Sequence, residues 1–180
     1  MKRIGITGGI GAGKSLVAEI IKAMDYPVYN SDERAKELTD SNPKIKEGLI
    51  HLFGEEIYQN DKLNKFALAQ AIFSDESLRE KVNALIHPIV REDFNLWALA
   101  QNNSLVFNES AILFETGSFK NFDAIILVYA PTDLRIKRIM KRDNCSENEV
   151  LLMCLFENCM NGCLEQIQYL FHFLNTLVYY

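Results

Sequence analysis

The stretch Gly8-Gly9-Ile10-Gly11-Ala12-Gly13-Lys14-Ser15 decides how this chain is read. It fits the spacing G-x-x-x-x-G-K-[ST] without a mismatch. Before it, Arg3 to Thr7 carry the β-branched Ile4 and Ile6, which predicts a short strand running into the glycines. After it, Lys14 to Met24 place Val17, Ile20, Ile21 and Met24 at helical spacing. Strand, glycine loop and helix form the context in which this motif grips a polyphosphate. Glycines let the backbone curl so that its N–H groups face inward. The helix start adds the positive end of its dipole. Gly9, Ile10, Gly11, Ala12, Gly13, Lys14, Ser15 and Leu16 are therefore the expected nucleotide-binding set. Lys14 is placed to reach the β- and γ-phosphates and Ser15 to ligate magnesium. A nucleoside triphosphate with Mg²⁺ is the expected ligand.

Outward from the loop, Pro27 to Tyr29 predict a second short strand, ending at Asn30-Ser31-Asp32. Glu33 to Trp97 read as mostly helical and amphipathic, punctuated at Asn42-Pro43, Phe53-Gly54 and His87-Pro88. This makes residues 33–100 a helical insertion, far longer than a βαβ crossover needs. Ser104 to Asn108 and Ala124 to Tyr129 predict two further strands. The second is apolar throughout, which suggests a place in the middle of a covered parallel sheet. Thr132 to Lys141 predict a helix with a basic run, Arg135, Lys137, Arg138, Lys141 and Arg142. The expected architecture is α/β, a three-layer α/β/α parallel sheet with a helical substrate-binding insertion and a lid over residues 132–150. All 180 residues read as one domain.

Composition excludes several classes. Hydrophobic residues make up 48% and charged residues 24%, so a disordered or collagen-like chain is excluded. A net charge of −5 argues against a nucleic-acid-coating surface. No apolar run has membrane-spanning length and no signal peptide is visible, so a cytoplasmic protein without membrane attachment is expected. The charge is uneven. Residues 1–142 hold all 19 Lys and Arg and 19 of the 24 acids, whereas the last 38 residues hold five acids and no base. Those 38 also hold all four cysteines. The spacing of Cys154, Cys159 and Cys163 fits no zinc knuckle pair, and free thiols are the expected state.

The loop leaves a choice among nucleotide-handling classes. The fourth strand is followed by Ala130-Pro131-Thr132-Asp133, which lacks the Asn-Lys-x-Asp that reads guanine. A small-molecule kinase needs an acceptor pocket, a carboxylate at the acceptor hydroxyl, and arginines that neutralise the moving phosphoryl group. The insertion supplies room for the first. Asp32, just past a strand's carboxyl end, suits the second. Arg138 and Arg142 on the basic helix suit the third. Glu109 at the end of the third strand is a candidate to organise hydrated Mg²⁺ beside Ser15. Each has a plainer reading. Asp32 also suits an N-cap for a helix starting at Glu33. Glu109 is otherwise a solvated charge, and the arginines an exposed basic face.

Several segments in order resemble the dephospho-coenzyme A kinase family of P-loop kinases over about residues 1–150. They are Ile4 to Ser15, Asn30-Ser31-Asp32, Asn83-Ala84-Leu85-Ile86-His87-Pro88-Ile89-Val90-Arg91, Glu109-Ser110-Ala111-Ile112-Leu113-Phe114-Glu115, and Arg138 with Arg142-Asp143. The resemblance implies transfer of the γ-phosphoryl group of ATP to the ribose 3′-hydroxyl of dephospho-coenzyme A. It implies catalytic roles for Asp32, Lys14, Arg138 and Arg142, with Asp32 as base. It implies that His87 and Arg91 hold the acceptor, although Glu92 and Asp93 offer Arg91 local partners. ATP, dephospho-coenzyme A and Mg²⁺ are then the partners; an oligomer is also compatible. A nucleoside monophosphate-type kinase and a nucleotide-binding protein with impaired catalysis are the alternatives.

Three departures accompany the resemblance. Asn30 stands where the family has the first aspartate of Asp-Ala-Asp, and Ala111 stands where it has proline. From Leu151 to Tyr180 neither the lid arginine nor the final-strand pattern follows, a break of the kind a reading-frame change gives. Thr176 to Tyr180 is β-prone enough to fill the missing edge, and Tyr169, Phe171 and Phe173 suit self-association.

Overall fold

A computed structural model of the chain describes residues 1–156. The expectations for Cys159, Cys163, Tyr169, Phe171, Phe173 and Thr176–Tyr180 lie outside the described residues. The chain divides into two compact units. One comprises residues 1–29 with the described residues from 101 onward, and the other residues 30–100.

In the first unit, β1 (Lys2–Thr7) is followed by α1 (Lys14–Ala23) and β2 (Val28–Asn30), whose last residue opens the second unit. After residue 100 come β5 (Leu105–Glu109), β6 (Ala124–Leu127), α6 (Thr132–Asp143) and α7 (Glu147–Phe156). The sheet order is β2-β5-β1-β6. β1 runs parallel to both neighbours, with Ile6 level with Glu109 on one side and Ile126 on the other. Strand alternation sends Ile4 and Ile6 to one face, where they pack with Val17 and Ile21 of α1 and with Phe107 and Leu105 of β5. Gly5 faces the other way, against Leu113, Phe122 and Ile125. The β1 carboxyl end therefore delivers the chain into the glycine loop with its base buried: Ile6 and Thr7 have no exposed surface.

One strand expectation needs correction. The apolar run Ala124 to Tyr129 predicts a strand in the middle of the sheet, yet β6 stops at Leu127 and is the edge strand among the described residues. Ile126 is partly exposed there. The apolar run marks neither a central position nor burial of both faces here, since none of the four β6 residues is buried.

α6 and α7 form a tight pair. α6 ends on Asn144 in the left-handed conformation, with φ 52°. Ser146 and Glu149 then cap α7 reciprocally, the Glu149 carboxylate accepting from the Ser146 amide at 2.7 Å and the Ser146 hydroxyl accepting from the Glu149 amide at 3.4 Å. The Ser146 hydroxyl, which donates to the same carboxylate at 2.7 Å, and then the Ser146 amide hold the Glu149 carboxyl below its ordinary pKa. Val150, fully buried, closes against Ile136 and Ile139, and Ile10 of the glycine loop packs on the same cluster.

The second unit consists of α2 (Ser31–Ser41), α3 (Pro43–Phe53), β3 (Tyr58–Gln59), β4 (Lys62–Leu63), α4 (Lys65–Ser74) and α5 (Glu76–Leu99). Leu38, Ile45, Leu49, Val82, Val90, Phe94 and Ala98 form its buried interior. The insertion is thus not wholly helical. β3 and β4 form an antiparallel hairpin turned by Asn60 and Asp61, both at positive φ, the backbone a two-residue hairpin turn requires. His87-Pro88 is no helix boundary either. Pro88 lies inside the 24-residue α5. Pro88 and Ala84, whose carbonyl loses its helical partner, are both exposed residues, so the lost bond is not made inside the core. Val82 and Val90 hold the helix inward on either side of the proline.

Asp32 is not the N-cap that the plainer reading made it. α2 starts at Ser31, and the Asn30 side chain caps it, its Oδ1 accepting from the amides of Asp32 at 3.1 Å and Glu33 at 3.0 Å. Asn and Asp cap almost equally well, so the departure at residue 30 preserves the helix start and leaves the Asp32 carboxylate out of that task. Asn30→Ala is expected to lower unfolding stability by about 1 kcal/mol in urea titration, and Asn30→Asp to leave it nearly unchanged.

Candidate active site

The glycine loop joins β1 to α1. Gly13 immediately precedes the helix with φ 106°, a conformation that side chains resist. Gly9 is restricted by its neighbour: a Cβ there would lie 2.5 Å from a guanidinium nitrogen of Arg135.

Every carbonyl from Gly8 to Gly13 accepts a hydrogen bond. Lys14 Nζ donates to Gly8 O at 2.6 Å and Gly9 O at 3.3 Å. The Ala12 amide also donates to Gly9 O, at 3.1 Å. Arg135 Nε donates to Ile10 O at 2.7 Å. Arg138 Nη1 donates to Gly11 O at 3.2 Å and Ala12 O at 3.3 Å. The amides of Leu16 and Val17 donate to Gly13 O. In a planar trans peptide the N–H points opposite to the C=O. Anchoring the oxygens therefore directs the N–H groups of the same peptides away from the cations, the arrangement a polyanion cradle needs.

Ser15 and Glu109, the two expected magnesium residues, meet. The Ser15 hydroxyl donates to Glu109 Oε1 at 3.0 Å. Glu109 ends β5 and is 5% exposed, so it is not a solvated charge. With its proton directed to the carboxylate, the Ser15 oxygen keeps lone pairs for a cation. A hard cation that keeps several waters and phosphate oxygens suits this small oxygen set. Among the described residues no group of three or more His, Cys, Asp or Glu is placed to hold a metal. The residues present thus fit Mg²⁺ and would not form an all-protein cage.

The expected arginines separate. Arg138 is on the loop. Arg142 pairs with its neighbour Asp143, through Nε and Nη2 at 2.7 Å each, and its side chain is largely exposed. Arg135 was part of the basic run but not of the expected site, yet it is the buried one, 5% exposed. The spacing 135, 138, 142 places the three on one helix face. That pattern was visible, but which of them would be buried depended on the packing of α6.

In the second unit, Asp32 is half-buried in the first turn of α2. His87 and Arg91 lie four residues apart on α5 and so on one face of that helix. Burial first, and the Arg91 charge second, push the His87 pKa below its ordinary value of 6.5. Asp93 is engaged from another helix. It takes a two-point bond from Arg34, at 2.8 and 3.1 Å, and Arg34 also reaches Glu37. Arg91 remains exposed on α5.

A family model described as dephospho-CoA kinase matches residues 2–155. The chain belongs to the dephospho-CoA kinase family. Members of this family are ATP-dependent phosphotransferases. A dephospho-CoA kinase of Porphyromonas gingivalis is 46% identical over 146 residues, covering 81% of this chain and 72% of that protein. One of Bacteroides fragilis is 42% identical over 150 residues, covering 83% and 73%. A crystal structure from Thermus thermophilus superposes with a TM-score of 0.76 at 36% identity, covering 84% of this chain and 78% of that one. The dephospho-CoA kinase from Campylobacter jejuni, at 23% identity and a TM-score of 0.64, shares the fold. Among the described residues no helix is long and apolar enough to cross a membrane.

An unfolded chain protonates His87 at its ordinary value, whereas the folded chain resists protonation. Stability is therefore expected to fall as pH drops below 6.5. Thermal melts between about pH 7.5 and about pH 5.5 should show a shallower loss for His87→Gln than for the parent.

Proposed function

We propose that this chain transfers the γ-phosphoryl group of ATP to the ribose 3′-hydroxyl of dephospho-coenzyme A, releasing ADP and coenzyme A. The observation that carries this reading is the anchored glycine loop with Ser15 on Glu109, within a chain of this family. Catalysis is positioning and charge neutralisation. Asp32 orients the hydroxyl and takes its proton. The freed oxygen forms the new bond to the γ-phosphorus, and the bond from that phosphorus to the bridging oxygen breaks toward ADP. Lys14 exchanges its loop carbonyls for β- and γ-oxygens. Arg138 and Arg142 neutralise the moving group from the lid, residues 132–150. His87 and Arg91 hold the acceptor within the helical unit. Ser15 and Glu109 would hold Mg²⁺, which when bound screens the phosphate charge. The reaction belongs in the cytoplasm, where ATP is supplied.

A specific observation favours a second reading, nucleotide binding with impaired transfer. No Lys or Arg lies in residues 143–180, so that stretch offers no arginine to close over the phosphates. A lid arginine is worth roughly 10³-fold or more in rate.

A coupled ADP-release assay with and without dephospho-coenzyme A separates the readings. Acceptor-dependent release is expected; nucleotide binding without it would establish the second. Asp32→Asn is expected to keep ATP affinity and lose most turnover, and turnover equal to the parent's would remove Asp32 from its role. Lys14→Ala is expected to weaken ATP binding by about tenfold or more in calorimetry, the loss of a charge-assisted bond.

A further inference from the structure

We propose that Arg135 is a positioning residue of the phosphate loop: its buried guanidinium holds the Ile10–Gly11 peptide with the oxygen outward, and so sets affinity for the triphosphate. The inference rests on nucleotide binding at this loop and goes beyond it by naming what keeps the loop in its binding shape.

Gly11 has a φ of +74°. Glycine accepts either sign of φ. The Ile10–Gly11 peptide can therefore turn over by a paired change of two torsions, with little steric resistance. Turned over, it would aim a carbonyl oxygen where a phosphate oxygen must sit. Arg135 Nε opposes this with a 2.7 Å bond to Ile10 O. The guanidinium is also wedged against Gly9, where a Cβ would lie 2.5 to 2.9 Å from three of its atoms. Its own helix is fixed to the loop from the same side. A Cβ on Gly11 would lie 2.9 Å from Arg135 O and 3.0 Å from the Ile139 side chain. The Ile10 side chain packs on Ile136, Ile139 and Val150. Both the side chain and the carbonyl of Ile10 are thus gripped by α6.

Arg138 differs in kind. Its bonds to the loop are 3.2 and 3.3 Å, and the bond to Gly11 O is exposed, so it can leave for a phosphate oxygen. Arg135 is buried and cannot do so without unpacking α6. It also places a positive charge directly behind the cradle, which favours an anion in front of it.

The test is calorimetry of MgATP and of inorganic tripolyphosphate on the full chain, with steady-state kinetics alongside. Arg135→Met keeps the linear stem and removes the donor. It is expected to weaken both ligands in equal proportion, by roughly ten- to hundredfold, the range for a hydrogen bond to a charged group. KM for ATP should rise by more than kcat falls, with KM for dephospho-coenzyme A unchanged. Arg135→Lys, which keeps a donor and the charge, should recover most of the loss, which a role in packing alone would not give. Gly9→Ala displaces the guanidinium without altering it and should reproduce the loss. It decides the matter should Arg135→Met fail to fold. Tripolyphosphate affinity within twofold of the parent in Arg135→Met or Gly9→Ala overturns the proposal, as does equal impairment of the Met and Lys variants. A parent chain that binds neither ligand overturns the nucleotide reading and this inference with it.

Discussion

Six successive carbonyl oxygens, Gly8 to Gly13, are each tied down, and the rest of the nucleotide unit is arranged around that constraint. A loop of glycines has no intrinsic preference for presenting amides over oxygens. The preference is imposed by three cations and by the first amides of α1. Lys14 comes from the loop itself, whereas Arg135 and Arg138 come from a helix more than a hundred residues later. The loop motif alone therefore does not specify a cradle. The motif together with α6 does, and α6 is held in place by Val150 of α7.

The cations fall into two groups. Lys14 and Arg138 rest on carbonyl oxygens that resemble phosphate oxygens as acceptors, so exchanging one for the other changes little but charge. Arg135 is buried and belongs to the scaffold. Ser15 is likewise held in advance, its hydroxyl turned by the buried Glu109 at the end of β5. Support of this kind lowers the ordering needed when a ligand arrives.

Much of this was legible because it is local. The glycine spacing, the alternating Ile4 and Ile6, and the helical period after Lys14 are properties of neighbouring residues, and they gave β1, the loop and α1 within a residue or so. The pairing of Ser15 with Glu109 was readable as two candidates but not as a bond, since residues 94 apart meet only through sheet order. The hairpin at Asn60-Asp61 was missed although its turn chemistry was present, because the helical period around it dominated the reading. Pro88 misled because a proline breaks a helix only when its lost bond cannot be made good. Asn30 reads in sequence only as a departure from the family's aspartate, while in the fold its side chain caps α2. Arg135 looked like any base on an amphipathic helix. Only the packing of α6 against Gly9 and Gly11 separates it from Lys137 or Lys141.

The Val150 contact bears on how this chain tolerates its unusual end. Val150 closes the small apolar cluster beneath Ile10, and the run of sequence without Lys or Arg, which begins at Asp143, gives way to an unfamiliar tail from Leu151 onward. The cluster thus takes its last buried side chain from the first turns of a helix whose remaining residues, 151–156, already belong to that tail. The departure from the family and the packing beneath the loop therefore meet within one helix, and a change at its head reaches the loop through a single buried valine.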